Sequence, residues 1–167
     1  MRNILRTTAL AAALLATFPA AQAATQTWNF NGTLDSGTFS GQSFGGSFSF
    51  DDAALTGNDL EWLSVVSLSM NFVGTSYSLD NATAPVEVSF FNGGFTGLSY
   101  NVGTEADGFT FIQGQYALSD SYVAYTMTTG IGGAGSVIYA AVPEPETYAM
   151  LLAGLGLLAL RRRQPRA

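Results

Sequence analysis

Asp51, Asp52, Asp59 and Glu61 lie close together in the chain, and Glu105 and Asp107 form a second acidic pair. Two carboxylates facing each other across a cleft can hydrolyse a glycoside, one as acid and the other as nucleophile or base. The same oxygens can ligate Ca²⁺. The run from Asp51 to Glu61 does not have the spacing of an EF-hand loop, so any Ca²⁺ binding is expected to be weak. Solvated loop acids in turns and caps account for both groups without a ligand. We therefore assign no catalytic, cofactor-binding or metal-ligating residue, and expect the chain not to be an enzyme.

Missing residue types narrow the chemistry further. Between Ala24 and Val142 there is no His, Cys, Lys or Arg. That excludes Ser-His-Asp and Cys-His catalysis, Schiff-base lysines, arginine clamps on phosphate and the usual zinc ligands. Neither a Walker loop nor a dinucleotide fingerprint is present. Of the chain's 12 acidic residues, only Glu144 and Glu146 lie outside this stretch, which therefore carries a net charge of −10. Nucleic acid, which needs a basic footprint, is excluded as a partner. Trp28, Trp62, Tyr77, Tyr116 and Tyr122 are of types that stack on sugars, although most aromatics in a β domain serve the core.

The elements that position these residues read as strands. Trp28, Phe30, Gly32 and Leu34 share a parity, as do Phe44, Phe48 and Phe50. Val66, Leu68, Met70 and Phe72 alternate with polar residues, which predicts one half-buried strand. Val86 to Phe90, Leu98 to Val102, Phe109 to Phe111 and Val123 to Met127 continue the pattern. Asn92-Gly93-Gly94 reads as a hairpin turn, with further turns at Gly74-Thr75, Gly103-Thr104 and Asp107-Gly108. Gly130 to Gly135 reads as a loop before a last strand over Ser136 to Ala141. The stretch Asp51 to Leu63 reads as a loop or a short helix. Many short strands at regular spacing predict an all-β passenger, an antiparallel β-sandwich or a jelly-roll-like fold.

The two ends differ from this passenger, expected over 24–141. All 6 basic residues are arginines, and all lie at the ends. Arg2 and Arg6 precede the apolar run Ala9 to Phe18. Pro19 and the Ala21-Gln22-Ala23 site follow, so residues 1–23 read as a signal peptide that signal peptidase cuts between Ala23 and Ala24. At the other end, Val142-Pro143-Glu144-Pro145-Glu146 cannot continue a sheet, because proline lacks the ladder donor. It reads as an exposed linker over 142–147. An apolar helix is expected over 148–160, and an arginine-rich cytoplasmic tail over 161–166. Arg161, Arg162 and Arg163 abut the apolar segment as a stop-transfer signal, which puts the passenger outside the cytoplasm. Thirteen helical residues span about 20 Å against a bilayer core of about 30 Å, a mismatch that snorkelling arginines and local thinning reduce.

The segment 142–164 resembles the PEP-CTERM sorting signal. Val142, Pro143, Glu144 and Pro145 match its leading motif. Tyr148 matches the aromatic of its spacer, Met150 to Leu160 its apolar helix, and Arg161 to Arg163 its basic end. The resemblance implies recognition by an exosortase, an integral-membrane peptidase, and cutting at or near the Pro-Glu-Pro motif. It implies a precursor anchored in the inner membrane through the C-terminal helix, then a surface or extracellular protein associated with exopolysaccharide and biofilm. Two other readings fit the residues. One is a carbohydrate-binding module or carboxylate-dependent glycosidase on the same tail; the other is a plain type I single-pass membrane protein.

Overall fold

Strands with one apolar face must pack against a second sheet or close on themselves. In the computed structural model, which describes residues 25–143 together with 151, 152, 154 and 155, they close. The strands are β1 (Thr25–Leu34), β2 (Ser43–Asp51), β3 (Leu60–Phe72), β4 (Thr75–Ser78), β5 (Glu87–Phe91), β6 (Gly94–Gly103), β7 (Gly108–Ile112), β8 (Tyr122–Thr126) and β9 (Gly133–Ala141). Their order is β2-β1-β9-β8-β7-β6-β5-β3-β4, and a further β2–β3 pairing closes the ring. Eight strands form an antiparallel barrel, and β4 is a short extra strand folded back on β3.

The all-β expectation therefore holds, while the sandwich or jelly roll is replaced by a barrel. The reason lies in the connections. Apart from the β4 excursion, each strand pairs with the next in sequence, and β9 returns to β1. A jelly roll would need long crossings between two sheets, and this chain has none among its described residues.

The interior of an eight-stranded barrel can be filled by side chains or hold one small ligand, and here large aromatics occupy it. Phe30, Phe48, Phe50, Phe111 and Tyr100 are fully buried there. Phe72 stacks on Phe109 at 4.2 Å, and Phe30 and Phe44 set their edges against Phe111 at 5.2 and 5.5 Å. Each such ring stabilises the fold by about 1.5–3 kcal/mol. So much aromatic volume requires strands that approach closely elsewhere. A Cβ on Gly46 would run into the Ser69 carbonyl, and one on Gly135 into the Thr33 carbonyl.

Two strand assignments change. The alternation predicted from Val66 breaks at Val66 itself, which is 57% exposed, while Val65 is 8% exposed. Ser49 pairs with Ser67 but Phe50 pairs with Val65, so Val66 is the extra residue of a β-bulge. The bulge flips the parity and lets one long strand serve two neighbours: Leu60–Ser64 pairs with β5, and Val65–Phe72 with β2. The last strand begins at Gly133, so half of the expected glycine loop is strand. The stretch between β2 and β3 is a loop with no helix.

Candidate functional site

Strand β9 leads to the C-terminal tail. Its last paired residue, Ala141, lies opposite Trp28 in β1, and the Val142 N–H donates to the Thr27 carbonyl at 2.8 Å. Pro143 has no N–H, so the ladder stops there. Val142 and Pro143 are both exposed. The expected sorting motif thus starts on the rung where the barrel ends, with no spacer between them. Strand β1 begins on the same rim, at Thr25.

Glu144, Pro145 and the stop-transfer residues Arg161, Arg162 and Arg163 lie outside the described residues, as do Ala21, Ala23 and Ala24 of the signal-cleavage site. Of the apolar segment, Leu151, Leu152, Gly154 and Leu155 are described; they are helical, and the three leucines are exposed. Among the described residues no helix is long and apolar enough to cross a membrane.

The acidic groups are dispersed. The Glu61 carboxylate accepts the backbone N–H groups of Thr56 at 2.8 Å, Gly57 at 2.8 Å and Asn58 at 3.2 Å, and the Thr56 hydroxyl at 2.8 Å. Foremost the Thr56 N–H, outweighing desolvation, and then the other donors hold its carboxyl below the usual range. A catalytic acid needs the opposite shift. Glu61 is the clamp of the β2–β3 loop. Asp51 accepts the Ala53 N–H at 2.9 Å in a local turn, and Asp52 accepts from Gln26 Nε2 at 3.2 Å. Glu105 lines a concavity of about 400 Å³ on the outside of β6–β8, while Asp107 lines a separate one of about 260 Å³ with Phe39, Tyr77 and Met127. Among the described residues no three His, Cys, Asp or Glu side chains come together to hold a metal ion.

The five aromatics divide. Trp28 packs against Phe95 at 4.4 Å, and Tyr77 sets its edge on Phe109 at 5.0 Å, so both are half-buried against the core. Trp62, Tyr116 and Tyr122 stay on the surface. Alternation already sets Trp28 with Phe30 and Leu34 and puts Tyr122 on the face opposite Val123 and Tyr125; it misplaces Trp62, which precedes the bulge that changes the parity of β3.

Fold and tail together define a closed β-barrel with a C-terminal segment attached directly to its rim. Residues 141–166 match the family model described as the PEP-CTERM protein-sorting motif. The motif implies an exported, envelope-targeted protein processed by an exosortase, a membrane protein. The match begins at the last residue of β9 and leaves the barrel itself unassigned. Neither the curated proteins nor the solved structures compared with the chain give a significant match.

Proposed function

We propose that the chain is a non-enzymatic surface or extracellular-matrix protein whose barrel is the cargo of its sorting tail. Signal peptidase frees the N-terminus, the apolar segment holds the precursor at the inner membrane, and an exosortase cuts at or near Pro143–Pro145. The barrel then passes to the cell surface or the exopolysaccharide matrix. The observation that carries this reading is the junction at Ala141–Pro143, where the barrel ladder ends and the matched motif begins. A non-enzymatic role is supported by the lack of any His, Cys, Lys or Arg between Ala24 and Val142, and by the commitment of Glu61 to its own loop.

C-terminal mass mapping of the protein from its native host tests the proposal. The expected mature chain lacks everything from about Pro145 onward. A mature chain that keeps Arg161, Arg162 and Arg163 overturns sorting and leaves a stably anchored membrane protein.

A further inference from the structure

Trp62 and Tyr116 stand on one outer face of the barrel. In the β3–β5 register Leu60 lies opposite Phe91, Trp62 opposite Ser89, and Ser64 opposite Glu87. Val88 and Phe90 point inward, so Glu87 and Phe91 share the outer face with Trp62, while Ser89 between them is fully buried. Trp62 therefore has Glu87 and Phe91 as its diagonal neighbours, at about 7–8 Å. Tyr116, from the β7–β8 connection, meets Phe91 edge-on, with ring centroids 4.9 Å apart and planes at 71°. The result is a row running Glu87, Trp62, Phe91, Tyr116. Trp62 is 40% and Tyr116 61% exposed. The row stands on a fixed base, since the buried Ser89 and Thr96 hydroxyls bond each other at 2.6 Å.

Charge decides what can cover such a row. Glu87 adjoins Trp62, Asp59 and Glu61 lie at the start of β3, and no basic residue occurs between Ala24 and Val142. Phosphate, sulfate and uronate are repelled, which disfavours acidic glycans and anionic lipid surfaces. A second copy would bring the same carboxylates face to face. A neutral pyranose meets the row on both counts. Its C–H face lies against an aromatic ring, and its hydroxyls donate to a carboxylate, which only accepts. Three rings in succession are longer than one sugar and suit a chain.

We propose that the outer face of β3 and β5 binds a neutral polysaccharide chain, with Trp62 and Tyr116 as the stacking platforms and Glu87 as the hydroxyl acceptor. This deepens the matrix part of the preceding reading and rests on it only for the place where glycans are met.

The test is calorimetry of the full-length chain in detergent with cellohexaose, maltohexaose and laminarihexaose. Alginate oligosaccharide and phosphatidylcholine vesicles serve as the anionic and lipid probes. Binding of at least one neutral hexasaccharide is expected. It should weaken by about tenfold or more in Trp62→Ser and in Tyr116→Ser. Trp62 is more than half covered and Tyr116 packs on Phe91, so each variant's melting temperature is recorded, and only variants that stay folded at the assay temperature are counted. Heat with none of the three neutral sugars overturns the proposal. So does binding that both variants leave unchanged, or a preference for alginate or vesicles. All these outcomes are read on the uncut chain, so failure here leaves the mass map of the tail untouched, and the reverse.

Discussion

Replacing Tyr139 by Phe should remove one hydrogen bond and little else. The ring touches Phe95, Phe30 and Phe48 at centroid distances of 5.2, 6.2 and 6.2 Å, and those contacts survive. The hydroxyl accepts the Leu98 N–H at 3.3 Å, and Leu98 is fully buried. That N–H has no strand to bond, because β7 pairs only with Tyr100–Gly103 of β6 and β8 only with Gly133–Ser136 of β9. Between the lower halves of β6 and β9 the ladder is open, and Tyr139 bridges it. Leaving the N–H without an acceptor costs about 1–2 kcal/mol, toward the low end of such losses because the bond is long. For a barrel of this length that lowers Tm by about 4–8 °C. A second signature follows from ionisation. Burial pushes the Tyr139 phenol up and holds Tyr100 at about 12, so the folded chain keeps protons that the unfolded chain loses above about pH 10. Stability is then complete below that pH and falls as pH rises through the folded values. Tyr139→Phe removes one of these groups, so its decline should be shallower by about 1.4 kcal/mol per pH unit. Thermal melts at pH 7 and guanidinium melts from pH 10 to 11.5, both followed by fluorescence, measure the two effects in turn. A variant with Tm within about 1 °C of the parent and the same alkaline slope would refute the bridge.

The bulge at Val66 makes two adjacent valines unequal. Val65→Thr should cost about 1–3 kcal/mol by burying a hydroxyl, and Val66→Thr should stay within about 0.5 kcal/mol. Equal losses in denaturant melts would place the parity switch elsewhere. Glu61→Gln should speed hydrogen exchange at the Thr56, Gly57 and Asn58 amides while the barrel strands keep their protection. In the parent the same loosening should appear as pH falls below 4.5 through the lowered Glu61 value, because the clamp works only as a carboxylate. Exchange that ignores both the substitution and the pH would mean that backbone turns alone hold the loop.

Period-two alternation made β1, β2, β5, β6, β7 and β8 legible as strands, because their inward residues are large and their outward ones polar. The pattern failed where a local irregularity resets it. Val65-Val66 are both apolar, so a bulge between them leaves no mark, and the parity before it is misread. The β3–β4 turn was read at Gly74-Thr75, one residue late, for another reason. Its two central residues are Val73 and Gly74 at φ 49° and 83°, and valine is a poor signal for that conformation. Asn92-Gly93, with the same geometry, was readable because its residue types suit it. Whether the strands made a sandwich or a barrel depended on pairings between β1 and β9, and no local pattern carries that information. Among the tryptophans parity alone would turn both Trp28 and Trp62 toward the core, and the bulge at Val66 turns Trp62 out.

The tail was legible because its constraints are local. Pro143 ends the ladder wherever the barrel places it, and it biases Val142 before it toward extended backbone. Barrel and motif therefore meet at one rung, Val142 N–H to Thr27 O. A peptidase that needs another residue of extended chain has to break that one exposed bond, at about 0.5–1.5 kcal/mol. The next rungs toward the N-terminus hold Tyr139 and the aromatic interior, so peeling beyond Ala141 exposes apolar surface and costs far more. The fold thus leaves Val142 and Pro143 exposed while the packing of β9 protects the strand before them, so the barrel's edge is set by packing as much as by the motif.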